Sequence, residues 1–205
     1  MRPLRLFIPQ YKSYELGAIA LLTGKTTQHY EYTFQTLKDN INKYKMRPGT
    51  FYPINIHVDK ENAIIVAIQK AFPINKIRLC YFQFSNNIKK RVHNSIFKDM
   101  FNSNSNSLKF IFVCEGLSFI PQIYVILVFE LLYKKAKEIN NINLINFMDY
   151  FAKEWIYGTE ISYWNYFKEF EIKTNSASES CNNKINNIFY IKDHLFIMLF
   201  MNTEI

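Results

Sequence analysis

Ile54-Asn55-Ile56-His57-Val58-Asp59-Lys60-Glu61-Asn62-Ala63-Ile64-Ile65 changes its apolar period halfway along. Up to Asp59 it alternates, with Ile54, Ile56 and Val58 on one face and Asn55, His57 and Asp59 on the other, as a strand does. From residue 61 the period lengthens. Ile64, Ile65, Ile68 and Phe72 fall on one side of a helix over residues 61–71, which Pro73 closes because it cannot extend the hydrogen-bond ladder. Residues 76–84 then read as a strand apolar on both faces, as suits a central strand in a covered sheet.

Upstream, residues 14–22 read as a buried strand that Thr23-Gly24 breaks. Tyr30, Phe34, Leu37, Ile41 and Tyr44 follow at helical spacing, and Met46-Arg47-Pro48-Gly49 is a turn. The order strand, helix, strand, helix, strand makes the helices crossovers between parallel partners and predicts an α/β fold. From residue 86 the pattern is helical almost to the end. Phe101 to Ser107 is a polar loop and the best candidate for a flexible break. Helices are expected over 108–118, 121–139 (Pro121 in its first turn) and 142–156, where Leu144, Phe147, Met148, Phe151 and Trp155 share a side. Trp155 and Trp164 suit core anchors, with base stacking as the alternative.

Apolar residues make up 49% of the 205 and aromatics 17%, enough for a packed core and against intrinsic disorder. Five glycines argue against a glycine-rich nucleotide loop. A net charge of +8 and a pI near 9.2 suggest attraction to a polyanion, nucleic acid first, with a merely basic soluble surface as the alternative. Lys89-Lys90-Arg91 and Lys134-Lys135-Ala136-Lys137 are the densest clusters. Cys80, Cys114 and Cys181 form no Cys-x-x-Cys pair, which suits a reducing compartment and gives no self-sufficient zinc site. Residues 123–129 and 194–201 are too short to span a membrane, and no secretory leader is visible. A soluble intracellular protein is expected.

Two acids stand in suggestive places. Asp59 ends its strand on the polar face, and Glu179 sits in Ser176-Ala177-Ser178-Glu179 at a helix start. Each has a structural alternative: Asp59 can N-cap the following helix, and Glu179 can close a capping box. His57 shares a face with Asp59, whereas His29, His93 and His194 show no ligand spacing.

From Glu15 to Phe189 the chain resembles the catalytic domain of Mutator-like element (MULE) transposases. Ala20-Leu21-Leu22-Thr23-Gly24-Lys25-Thr26 is similar to the family's "ALL-x-x-K-T", and Asp59-Lys60-Glu61-Asn62-Ala63 to its "D-F-E-x-A". Phe72-Pro73 with Cys80-Tyr81-Phe82-Gln83 resembles "FP…C-x-F-H", and Phe119-Ile120-Pro121 its "F-x-P". Tyr150-Phe151, Trp155-Ile156 and Trp164-Asn165 resemble "YF…WI…WN", and Lys173-Thr174-Asn175 to Glu179 "R-T-N-N-x-x-E". The resemblance implies an RNase H-like core, a mixed sheet with flanking helices, carrying a long all-helical insertion before the last acid-bearing helix. The partial core is expected over 1–85, the insertion over 86–170, and the final core helix with a C-terminal tail over 171–205.

The implied activity is DDE-type cleavage and strand transfer on double-stranded DNA in a nucleus, with homo-oligomerisation open. Three carboxylates on two adjacent strands and a late helix would hold two Mg²⁺ (or Mn²⁺) ions about 3.5–4 Å apart, hard cations that prefer oxygen. Asp59 and Glu179 are thereby the second and third catalytic, metal-binding acids. The first belongs on an upstream strand in an Asp-Gly-Thr-Phe context. Here no Asp precedes Asp39, which lies on the amphipathic helix, and Glu15 is not in that context. Gln83 replaces a histidine after Cys80, and Asn182 replaces another after Glu179, leaving Cys80, Gln83 and Asn182 as vestiges. A truncated, inactive catalytic domain with weak or absent metal binding is expected. The alternative is a non-catalytic DNA-binding or regulatory protein domesticated from such a transposase.

Overall fold

Pro53–Val58 forms a strand and Asn62–Ala71 a helix, as the change of period requires. The computed structural model describes residues 2–10, 13–43, 53–73, 76–93, 106–168 and 195–201. The expected turn at 46–49 lies outside them, as do Glu179, Cys181 and Asn182. The chain divides into two compact units, Met1–Cys80 with Thr174–Ile205, and Tyr81–Lys173.

The first unit is mixed α/β. In sequence it runs β1 (Arg2–Gln10), β2 (Ser13–Leu22), α1 (Thr27–Lys43), β3 (Pro53–Val58), α2 (Asn62–Ala71), β4 (Lys76–Leu79) and β5 (Leu195–Met201). The five strands form one sheet in the order β2-β1-β5-β3-β4. β1 and β2 are an antiparallel hairpin, β3 and β4 are parallel, and β5 runs parallel to β1 but antiparallel to β3. The parallel β3–α2–β4 unit is as expected. β2 points the same way but is separated from β3 by β1 and β5.

Two strands escaped the sequence reading. β1 carries Pro3 and Pro9, which lack an N–H, yet its pairing with β5 uses only Leu4–Phe7, between the two prolines. β5 lies in the tail expected after residue 171. Its unbroken Leu-Phe-Ile-Met-Leu-Phe-Met run suits a strand flanked on both edges.

A third difference concerns residues 80–84, expected on a strand. β4 ends at Leu79 and α3 (Tyr81–His93) begins almost at once. Phe84, Ser85 and Ile88 are buried while Phe82 is exposed, a helical rather than an alternating period.

Leu4, Leu6, Ile56 and Val58 of the strands are buried, as are Tyr30 and Phe34 of α1 and Ile64, Ile68 and Phe72 of the predicted helix face. Each fully buried side chain of this size contributes roughly 1.5–3 kcal/mol. Phe34 meets Phe72 edge-on at 5.6 Å, fastening α1 to α2. Lys38 donates to the Ala71 carbonyl and lies 4.6 Å over the Phe72 ring, a cation at a helix C-terminus.

The second unit is helical among its described residues: α3, α4 (Asn106–Gly116), a 3₁₀ turn (Leu117–Phe119), α5 (Gln122–Ile139), α6 (Ile142–Phe151), a π turn (Ala152–Ile156) and α7 (Ile161–Trp164). The polar loop expected to Ser107 has joined α4 by Asn106; residues 101–105 lie outside the described ones. Asn140-Asn141 makes the turn between α5 and α6. Asn140 takes the left-handed conformation (φ 53°), which asparagine tolerates, and the Asn141 side chain accepts from the Asn143 and Leu144 amides.

Candidate functional site

Strand direction determines which motifs meet. β2, β3 and β4 share one polarity, so Leu22, Val58 and Leu79 end at the same edge of the sheet. Of the segments that follow them, Thr23–Thr26 meets Asp59–Glu61 through Lys25 and Glu61, and Cys80 meets the end of β3 through its amide bond to Val58. β1 and β5 run the other way and present their starts, Arg2 and Leu195, at that edge.

The turn after β2 is built around His29. Thr26 accepts from the His29 amide through its hydroxyl and from the Tyr30 amide through its carbonyl, capping α1. The same Thr26 hydroxyl is hydrogen-bonded to His29 Nδ1, 2.6 Å away. The other ring nitrogen, Nε2, lies 3.0 Å from Thr23 Oγ1, so two hydroxyls hold the ring. A Cβ on Gly24 would lie 3.0 Å from His29 Cε1, so a larger residue there would press on the ring.

Lys25 projects from this turn to Glu61, Nζ to Oε2 at 3.2 Å, and the buried Tyr30 donates its hydroxyl to Oε1 of the same carboxylate at 2.7 Å. Both oxygens of Glu61 are thus engaged. Lys25 and Glu61 are letters of two separate motifs, and the fold joins them in one ion pair. Sequence reading gave neither a role. The only available signal was their charge, since partners 36 residues apart share no local periodicity.

Asp59 is the first residue after β3 and is half-buried. It is not the cap of α2: Glu61 occupies that position, and its amide bonds to the Asp59 carbonyl at 2.8 Å. His57, on β3, is buried. Cys80 is a buried free thiol whose amide donates to the Val58 carbonyl at 3.0 Å, which brings it beside the residue before Asp59. Gln83 sits in the first turn of α3, in the other unit, so Cys80 and Gln83 do not share a strand. Glu31, also upstream of Asp59, lies on α1 and pairs with Lys70 at 2.6 Å. A cavity of about 530 Å³ lies between β2 and α1, lined by Leu6, Ala18, Ala20, Leu22, His29 and Thr33 among others.

In the helical unit the remaining motif letters form the core. Trp164 stacks on Phe84 at 5.3 Å, Trp155 meets Phe84 edge-on at 4.7 Å, and Trp164 Nε1 donates to the Trp155 carbonyl at 3.0 Å. Both tryptophans are buried, which favours anchoring over base stacking. Buried Asn165 donates from Nδ2 to the carbonyls of Leu117 (3.4 Å) and Ile120 (2.9 Å), and the Tyr166 amide donates to Ser118 O. The Trp164-Asn165 motif therefore holds the Phe119-Ile120-Pro121 turn.

Tyr81 donates to the buried Glu115 at 2.9 Å, with Lys89 4.0 Å from the same carboxylate. Burial, then the bond and charge of Glu115, push the Tyr81 phenol up to about 12. Burial likewise raises the Cys114 thiol. Both basic clusters lie on exposed helix surface with local partners: Arg91 over Tyr150 (5.0 Å), Lys137 over Tyr133 (4.4 Å) and Lys135 with Glu138 (2.9 Å).

Among the described residues no three His, Cys, Asp or Glu side chains gather into a metal-binding group, and no helix is long and apolar enough to cross a membrane. Comparison with known protein families, with curated proteins and with solved structures finds no match.

Proposed function

We propose that this chain derives from the catalytic domain of a DDE-type, Mutator-like transposase, with an RNase H-like core carrying a helical insertion. Within these 205 residues it binds duplex DNA without cutting it. The gathering of Lys25-Thr26, Asp59-Lys60-Glu61 and Cys80 at one sheet edge supports the descent, because motif segments distant in sequence meet where a catalytic acid would be needed.

One observation carries the loss of cleavage. The chemistry needs a second carboxylate on a strand adjacent to the one bearing Asp59. The neighbours of β3 are β4, Lys-Ile-Arg-Leu, and β5, Leu-Phe-Ile-Met-Leu-Phe-Met, and neither contains an acid. Glu61 is nearby but is neutralised by Lys25 and hydrogen-bonded by Tyr30. This donor set does not fit a two-metal site, which requires several oxygen ligands around each ion. Among the described residues the set is short, and Glu179 would add one carboxylate.

DNA binding rests on the net charge of +8 and on the exposed lysines of α3 and α5. A nuclear site follows from this reading. The test is duplex binding over a salt series, together with nicking of supercoiled DNA in Mg²⁺ or Mn²⁺. Binding should weaken steeply with salt, and Asp59→Asn and Glu179→Gln should leave it unchanged, with no nicking by any of the proteins. Metal-dependent nicking abolished by Asp59→Asn would overturn the loss of cleavage. Absence of binding even at low salt would overturn the DNA reading.

A further inference from the structure

The last strand in sequence lies in the middle of the sheet. Leu195–Met198 of β5 pair in parallel with Leu4–Phe7, and Ile197–Met201 pair antiparallel with Pro53–Val58. β1 and β3 are not neighbours, so every sheet hydrogen bond linking the β1–β2 hairpin to the β3–β4 pair passes through β5. Without β5, two strand edges would face each other with their amides and carbonyls unmet. α1, which follows β2, and α2, which follows β3, are joined to each other independently of β5, through Phe34–Phe72, Lys25–Glu61 and Glu31–Lys70.

We infer that the cleft between β1 and β3 is a strand-acceptor site whose ligand is Leu195–Met201 itself. The segment suits the role: seven apolar residues without proline, glycine or charge, able to donate and accept on both edges. The site reads direction as well as composition, because one wall is parallel to the entering strand and the other antiparallel. It also reads register, since a slip of one residue would exchange the faces of every side chain. The same seven residues supplied from outside the chain therefore occupy the cleft in the same register. This inference rests on backbone pairing and is independent of the DNA reading.

Engineered cysteine pairs in the full chain, with Cys80, Cys114 and Cys181 replaced by alanine, test direction. Leu4→Cys with Leu195→Cys should close a disulfide under mild oxidation. Leu4→Cys with Met198→Cys, which an opposite strand direction would favour, should close at least about tenfold more slowly, because a disulfide tolerates only a narrow Cα separation. A Leu4–Leu195 link between two chains would also support the acceptor site, the strand then coming from a second copy. Equal or faster closure of the 4–198 pair would overturn it.

A second measurement uses the full chain carrying Ile197→Pro, which removes a ladder donor from β5. A peptide of residues 195–201 flanked by lysines should bind it one-to-one and slow amide hydrogen exchange in β1 and β3 by about tenfold or more. The same peptide carrying proline at position 197 should not. Failure of the unmodified peptide to restore protection would overturn the inference, as would full protection of β1 and β3 in the variant without peptide.

Discussion

Around Phe84 in the helical unit, the rings of Phe151, Trp155 and Trp164 lie with centroids 4.7 to 6.5 Å away. In the α/β unit the ring pair Phe34–Phe72 is accompanied by charges: Lys25–Glu61, Glu31–Lys70 and Lys38 on the Ala71 carbonyl. One unit is held by desolvated interlocking rings, whose contribution scales with buried area and is insensitive to salt. In the other, the α1–α2 seam combines a modest apolar contact with half-exposed ion pairs that salt screens. Motif letters in the helical unit thus serve architecture, whereas those in the α/β unit converge on an edge where chemistry could be done.

The strongest way to break this contrast is Trp164→Ala. It should destabilise the helical unit by about 3–5 kcal/mol, removing the stack on Phe84 and leaving a cavity. The chain's two tryptophans both lie in this unit, so the remaining Trp155 reports the loss by fluorescence during urea unfolding. A cost near zero would mean that the ring cluster is not the core. Asn165→Ala should cost less, about 1–3 kcal/mol, because it strands the buried Leu117 carbonyl and the part-buried Ile120 carbonyl without removing ring area. The same fluorescence midpoint measures it.

The seam of the α/β unit should respond more weakly. A double-mutant cycle of Lys25→Met and Glu61→Gln should give a coupling of about 0.2–1 kcal/mol, shrinking as salt rises, since the two side chains are 40% and 22% exposed. Hydrogen exchange of the α2 amides reads it, and a larger, salt-independent coupling would place this pair among the buried interactions. The effect confined to the narrowest range of conditions is on alkaline stability. The folded-state pKa of Tyr81 is raised from 10.0 to about 12, so its contribution is full below pH 10 and is lost as pH rises towards 12. Tyr81→Phe should remove that slope from unfolding midpoints measured across pH 9 to 12, leaving the neutral-pH profile of the remaining groups unchanged.

How much was legible in the sequence differed between elements. α1 and the inner face of α2 could be read because a helix buries a stripe whose period is local: Tyr30 and Phe34, Ile64, Ile65 and Ile68 announce themselves. The strand at residue 80 was misread because a short apolar run does not distinguish a strand from the first turn of a buried helix; Tyr81 and Phe84 satisfied both patterns until Phe82 proved exposed. β1 was obscured by its prolines. β5 is a plain apolar heptad whose meaning depends on which edges it lies between.

Sequence alone determined the period of α1 and of the inner face of α2, the strand-to-helix switch at Asp59, the excess of positive charge and the lack of an acid in the expected upstream context. These are properties of neighbouring residues or of composition, and no folding is needed to read them. Only the tertiary structure decided that β5 fills the centre of the sheet, that Lys25 neutralises Glu61, and that Asn165 fastens the turn before Pro121. Each joins residues dozens of positions apart. The physical reason is that backbone and charge partners across a sheet edge or a helix seam are chosen by strand order and direction, which no local period encodes.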